Sequence, residues 1–247
     1  MRYFIEFSYS GKNYFGYQIQ PREISVQQVL EEALTTLLGE RISIVGAGRT
    51  DTGVHAKKMY AHFDYSAPIQ EGFSQRLNRF VPMDLSIHQI FEVPSTAHAR
   101  FDALRRSYEY HVSLKKDPFS LDYALQHYKY GLDLEAMNEA AAILLEYKDF
   151  ASFSKVGGDN KTTLCDVSYA KWTQKGDHLV FRISANRFLR NMVRAIVGTL
   201  LEVGTGKRKV EQMHEIIESK NRSKAGTSAP AHGLMLVEVE YPEGIVP

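Results

Sequence analysis

The chain is poor in the residues that announce special environments. It has one cysteine, Cys165, in 247 residues, so no intramolecular disulfide can form and nothing speaks for secretion. Long apolar runs are missing: the longest plain stretch is Ala140 to Leu145, far short of the roughly 20 residues that span a bilayer. The opening Met1-Arg2-Tyr3-Phe4-Ile5-Glu6 carries charge inside its apolar stretch, so no signal peptide is expected. HExxH and CxxC spacings are absent, so no metal site is expected. Net charge is nearly absent too: 30 Lys plus Arg against 29 Asp plus Glu leave +1, and the total says nothing about partners. No segment is of low complexity, and no long Pro/Gly/Ser linker occurs. These absences exclude collagen-like, disordered and transmembrane classes and lead to the expectation of a cytoplasmic globular protein without membrane contact. What is present is ordinary for such a protein. With 44% hydrophobic and 24% charged residues, the chain can build a core without disulfide or metal staples, in one large domain or two modest ones.

The charge, although balanced, is uneven. Residues 117–180 hold ten acids and six Lys/Arg, a net of −4, whereas residues 182–224 hold ten Lys/Arg and four acids, a net of +6. A concentrated basic segment reads either as a solvated face or as a surface for a polyanion.

Periodicity predicts the elements. Residues 2–8 alternate as a strand. Residues 26–38 place Val26, Val29, Leu30, Ala33, Leu34, Leu37 and Leu38 at helical spacing, with Ser25 and Gln28 as a capping box and Gly39 as the stop. Strands are expected at 41–46, 59–65 and 85–93, and a short helix at 70–80. In the second half, a strand at 105–114 precedes a helix at 133–147 capped by Asp133. An antiparallel pair follows at 163–173 and 178–184, turning at Lys175-Gly176-Asp177. Helices at 187–203 and 208–219 and a last strand at 234–241 complete the chain. Each half thus reads β-α-β-β-α-β, the split βαβ or ferredoxin-like order. The expected fold is α+β, with two ferredoxin-like halves, residues 1–103 and 104–247. Their antiparallel sheets lie side by side around a basic cleft.

The densest local signal is Gly46-Ala47-Gly48-Arg49-Thr50-Asp51-Thr52-Gly53-Val54-His55-Ala56. Three glycines in eight residues imply tight turning or a close approach. A plain hairpin rarely needs so many special residues. A dinucleotide loop would need a third glycine where Asp51 stands and a helix after it, so NAD and FAD are excluded.

This run resembles the signature of the TruA family of tRNA pseudouridine synthases. Phe101 and Arg105 to Tyr110 resemble the family's second motif. Asn186 to Arg194 with Ile196-Val197-Gly198 resemble its third, and Gly233-Leu234-Met235-Leu236 resemble its pocket-lining strand. The matches run in family order from about residue 3 to 242. Thr52, Lys57-Lys58-Met59, Arg190-Asn191 and Cys165 depart from the usual pattern. The resemblance implies isomerisation of uridine to pseudouridine at tRNA positions 38 to 40 in the anticodon stem-loop, by a homodimer in which one tRNA spans both subunits. It makes Asp51 the nucleophile, Arg194 its charge partner, Tyr108 the platform on which the flipped base stacks, and Leu234 the apolar wall. Arg49 becomes the side chain that takes the base's place in the RNA, where flipping costs a few kcal/mol.

The chemistry agrees with those residue types. Breaking the N1–C1′ bond, rotating the base and joining C5 to C1′ is an isomerisation, so neither redox cofactor nor metal is required. It needs a carboxylate to act as nucleophile or to stabilise the developing cation. It also needs a cation to keep that carboxylate ionised, because burial alone raises its pKa. On residues alone each assignment keeps a rival: Asp51 as a turn residue, Tyr108 as strand filler, Arg49 as half of a surface pair. His55, like the other histidines, reads as structural.

The basic groups gain a purpose as phosphate contacts. Arg100, Arg105 and Arg106 flank the Tyr108 strand. Arg187, Arg190 and Arg194 are expected on one face of a helix at three- and four-residue spacing. Arg182, the Lys207-Arg208-Lys209 run and Arg222 add to them, while Lys220 and Lys224 read as solvated. Two further classes remain open at this point: a non-catalytic RNA-binding protein, and a carboxylate hydrolase acting on nucleosides or glycosides.

Overall fold

The computed structural model describes residues 1–128, 131–155, 157 and 161–247. The protein is mixed α+β, with nine strands and five α-helices among those residues. It divides into two compact units: Met1–Arg105 with Met235–Pro247, and Arg106–Leu234.

In the first unit the elements run β1 (Arg2–Tyr9), α1 (Val26–Leu38), β2 (Val45–Gly46), β3 (His55–Asp64), α2 (Phe73–Phe80) and β4 (Leu85–Val93). β1 lies between β4 and β3, antiparallel to both, and β2 pairs antiparallel with β3. A central strand is covered on both faces, and accordingly Tyr3, Phe4, Ile5, Phe7 and Tyr9 of β1 are all buried. α1 begins and ends as its sequence dictates. Ser25 Oγ accepts the Gln28 N–H at 3.2 Å, and Gly39 takes the left-handed conformation at φ 74° while its N–H closes on Thr35 O. Val26, Leu30, Ala33 and Leu34 form its buried stripe.

The strand expected at 41–46 shrinks to two residues. Ile42 and Ile44 are buried, but their backbone groups are used by α1. The Ile42 N–H donates to Thr35 Oγ1 (3.0 Å) and the Ile44 N–H to Glu31 Oε1 (2.9 Å). Gln27 Nε2 donates to Ile44 O at 3.2 Å. Alternating apolar residues therefore line the core without joining the ladder. Likewise α2 starts at Phe73 rather than 70, because Gly72 is left-handed at φ 80°.

In the second unit the order is β5 (Arg105–Ser113), β6 (Leu125–Gln126), α3 (Leu134–Ile143), β7 (Val167–Lys175), β8 (His178–Ala185), α4 (Met192–Gly204) and α5 (Gln212–Glu218). β8 is antiparallel to both β5 and β7. Gly176, at φ 60°, turns the β7–β8 hairpin. α3 is capped by Asp133, whose Oδ1 accepts the Ala136 N–H, and packs against α4 and β7.

Both units tie a helix to an edge strand by the same device. Asn78 of α2 takes the Ile87 N–H (2.7 Å) and gives an N–H to Ile87 O (2.6 Å) on β4. Asn138 of α3 takes the Trp172 N–H (2.8 Å) and gives one to Trp172 O (3.2 Å) on β7.

Two expectations are corrected. The final strand, β9 (Leu234–Glu240), runs parallel to β3, with His55 opposite Met235 and Ala56 opposite Leu236. Residues 235–247 therefore belong with the first unit rather than with 104–234. The pairing is parallel, as is β5 with β6, so the strands are not all antiparallel. The helix expected from 187 begins at Met192, because Asn191 is left-handed at φ 66° and breaks the run. Arg187 and Arg190 precede the helix and do not share a helical face with Arg194. Among the described residues no helix is long and apolar enough to cross a membrane.

Candidate active site

Residues 47–54 connect β2 to β3, and close approaches from residues 9–17 hold them. A Cβ on Gly11 would stand 2.1 Å from Val54 O, and one on Gly16 would stand 2.5 Å from Thr50 O. From the other side, a Cβ on Gly46 would meet the Tyr17 ring at 2.5 Å. Only glycine permits these contacts. The Tyr17 N–H donates to Thr50 O and the Gly53 N–H to Tyr14 O, both at 3.3 Å. The Tyr9 and Thr50 hydroxyls bond at 2.8 Å in the buried interior. Gly53 turns the chain at φ 78°, and the Val54 N–H returns to Asp51 O at 3.1 Å.

The result is a loop whose Thr50 and Val54 turn inward while Asp51 is left partly accessible. Thr50 and Val54 are buried, Asp51 is half-buried, and Arg49 and Thr52 are exposed. His55 is buried, and its Nδ1 accepts the Gly11 N–H at 3.0 Å. A ring nitrogen committed as acceptor fixes the tautomer, so His55 is a brace for the loop.

In the second unit, Tyr108 lies on β5 opposite Ile183 of β8. It is half-buried, and its ring meets Phe188 edge-on at 5.2 Å. Its neighbour Tyr110 is fully buried and donates its hydroxyl to Pro230 O at 3.0 Å. Burial pushes the Tyr110 phenol well above its ordinary range. Leu234 is buried at the start of β9.

Arg194, on the first turn of α4, is half-buried and clamped by the 222–229 segment. Its Nε donates to Ala229 O (2.8 Å), and the Ala229 N–H returns to Arg194 O (2.9 Å). Ser228 Oγ accepts from both Asn191 Nδ2 (2.7 Å) and Arg222 Nη2 (2.8 Å). Arg222 Nη1 donates to Gly226 O at 3.1 Å, and the Gly226 N–H to Thr199 Oγ1 at 2.9 Å. Gly198 makes the approach possible, since a Cβ there would collide with Thr227 O at 1.7 Å. The sequence singled out neither Asn191 nor Ser228 as a site residue, and read Arg222 only as one of the basic groups. The available signal was Asn191 itself, a residue that tolerates the left-handed region, placed just before an apolar helix.

The other basic residues are variously engaged. Arg105 pairs with Glu240 at 3.4 Å, and Arg106 Nη1 donates to Asn186 O at 2.9 Å. Arg182 faces Glu109 at 3.7 Å. Glu202 binds both Lys207 and Arg208, and Lys220 pairs with Asp149 at 2.9 Å. Part of the positive run is thus answered from within its own unit. Arg100 and Arg190 are exposed, and Arg187 is half-buried. Among the described residues no group of three or more His, Cys, Asp or Glu stands together to hold a metal. Cys165 is buried, and burial pushes its thiol up to about 11.

Residues 140–242 match the family model described as tRNA pseudouridine synthase, a class of isomerases that convert uridine to pseudouridine. Relatives extend the match to the whole chain. A protein named tRNA pseudouridine synthase A from Parabacteroides distasonis is 54% identical, covering 100% of this chain and 98% of the relative. One of the same name from Bacteroides fragilis is 51% identical over 99% and 98%. Another, from Bacillus licheniformis, is 42% identical over 98% and 99%. The chain belongs to the tRNA pseudouridine synthase A family.

Proposed function

We propose that this isomerase acts in the cytoplasm on tRNA, converting uridines at positions 38 to 40 of the anticodon stem-loop. Asp51 is the nucleophile, and Arg194 holds it ionised. The flipped base stacks on Tyr108 against Leu234, and Arg49 occupies the place the base has left. Arg100, Arg105, Arg106, Arg187 and Arg190 contact phosphates, so binding weakens steeply with salt. The enzyme works as a homodimer. Its halves are ferredoxin-like, a reading supported by the β1-α1-β2-β3-α2-β4 order of the first unit.

The observation that carries the reading is the Asp51 loop. Its neighbours are locked by steric contacts and buried hydrogen bonds, yet Asp51 itself is only half-buried. A turn residue with no chemistry to perform needs no such bracing. Arg194 is similarly held, by a two-way bond to Ala229, as preorganised electrostatics requires.

The test is tritium release from tRNA carrying C5-tritiated uridine, since the C5 proton must leave as pseudouridine forms. Wild type should release tritium, and Asp51→Ala should release none while binding tRNA nearly as well. Release by the variant would overturn the nucleophile assignment. Substrates with a single uridine at 38, 39 or 40 test the positions, and sedimentation tests the homodimer.

A further inference from the structure

Phe101 is 75% exposed, yet it is not a loose side chain on a loop tip. A column of rings leads from the core of the first unit out to it. Phe4 is completely buried, and His62, itself buried, lies 6.2 Å from it with the rings 26° apart. His98 meets His62 at 4.6 Å, and Phe101 meets His98 at 4.2 Å with the planes 31° apart. The last ring is therefore backed by His98, which His62 and Phe4 connect to the core.

The turn that carries it is tied as tightly. The His98 N–H donates to Asp102 Oδ2 (2.7 Å), and the Asp102 N–H donates back to His98 O (3.0 Å). The N–H groups of Arg100 and Phe101 converge on His98 Nδ1 at 3.1 and 3.2 Å. The Arg100 guanidinium carbon stands 5.8 Å from the Phe101 ring centroid, within cation–π range. An apolar ring has thus been fixed beside a cation with most of its surface left exposed.

We propose that Phe101, together with Arg100, is a second stacking platform, taking an unpaired base of the RNA substrate other than the uridine being isomerised. The proposal rests on the reading of RNA as substrate. Loop nucleotides of RNA offer splayed bases that stack on aromatic and guanidinium planes, and any base presents a π-face. Charge decides between RNA and a protein partner. An apolar protein surface would have to strip water from Arg100, whereas a nucleotide brings a phosphate to pair with it.

The experiment is a fluorescence titration of the full-length chain with anticodon stem-loop RNA. Phe101→Trp places an indole at the platform. The one native tryptophan, Trp172, is 1% exposed and provides a constant background. The expected result is quenching of the new indole, saturating at the concentrations where RNA binds. Phe101→Leu should weaken binding by roughly tenfold or more, the range for loss of one base stack, with KM moving more than kcat. An RNA lacking the loop bases should bind wild type and Phe101→Leu alike. An unquenched indole in a complex that forms would overturn the platform, whether or not Phe101→Leu folds. So would a shift from dimer to monomer in Phe101→Leu, which would make Phe101 a protein contact. Failure of wild type itself to bind or convert the stem-loop would instead overturn the RNA reading beneath it.

Discussion

The loop carrying Asp51 and the segment clamping Arg194 are both held in place, but with a different balance of steric and polar bracing. The first is held by what is missing: Gly11, Gly16 and Gly46 remove Cβ atoms so that backbone can lie on backbone and on the Tyr17 ring. The second also needs a bare Gly198 against Thr227 O, but around Arg194 itself it is held by what is present, chiefly the Ser228 hydroxyl accepting from Asn191 and Arg222. The steric bracing has no soft direction, because a backbone carbonyl cannot rotate away from a new methyl group. The polar bracing can exchange partners with water. The two regions should therefore fail differently, abruptly in one case and by degrees in the other.

The sharpest way to break the comparison is Gly11→Ala. Its methyl would sit 2.1 Å from Val54 O, so the loop must move. Misplacement by about an ångström costs on the order of a hundredfold in rate, and kcat should fall by that much or more. Gly39→Ala is the control: Gly39 is left-handed, at φ 74°, so the substitution strains the backbone, but a Cβ there meets nothing within 4 Å. It should lower the melting temperature and leave turnover alone. Equal turnover in both variants would remove steric bracing as the explanation.

Acid adds a second axis. Burial, reinforced by the charges of Arg2 and His98 and opposed by Asp64 and Asp102, lowers His62 to about 4 from an ordinary 6.5. Below 6.5 the unfolded chain takes up a proton that the folded chain refuses, so stability is full above that pH. It falls as the pH drops toward 4, by about 3 kcal/mol at 1.36 kcal/mol per pH unit. Urea midpoints between pH 4 and 7 should show this slope. His62→Asn keeps an acceptor for the Ala99 N–H, which now bonds His62 Nδ1 at 3.1 Å, and should flatten it.

The smallest effect is expected at Ser228. Ser228→Ala strips two donors of an acceptor, a loss of roughly 1–3 kcal/mol, partly recovered by water. Turnover should fall with little change in tRNA affinity, and Ser228→Thr should restore it. If Ser228 acts through Arg194, its effect should vanish in an Arg194→Lys background. Strict additivity would make Ser228 a matter of local stability alone.

What could be read beforehand followed from local rules. α1 has the bounds and caps its spacing implies, and β4 spans the expected residues. Where distant partners decide, the reading went astray. Residues 41–44 alternate like a strand, but α1 side chains claim their backbone. The last strand pairs with β3, His55 standing opposite Met235, and no window reveals that. Asn191 ended the expected helical face of Arg187, Arg190 and Arg194 because a single left-handed residue outweighs favourable spacing. In the candidate site, the Asp51 loop stood out through its glycines, whereas the Ser228 network depends on contacts between residues 191, 222 and 228 that only folding brings together.

The paired amides on the edge strands carry a consequence for colloidal behaviour. An edge strand offers unpaired N–H and C=O groups as a template for another chain. At Ile87 and Trp172 those groups are already taken by Asn78 and Asn138. At these two positions each unit is thereby protected against growth of its sheet into a fibre or an aggregate, by a single amide side chain.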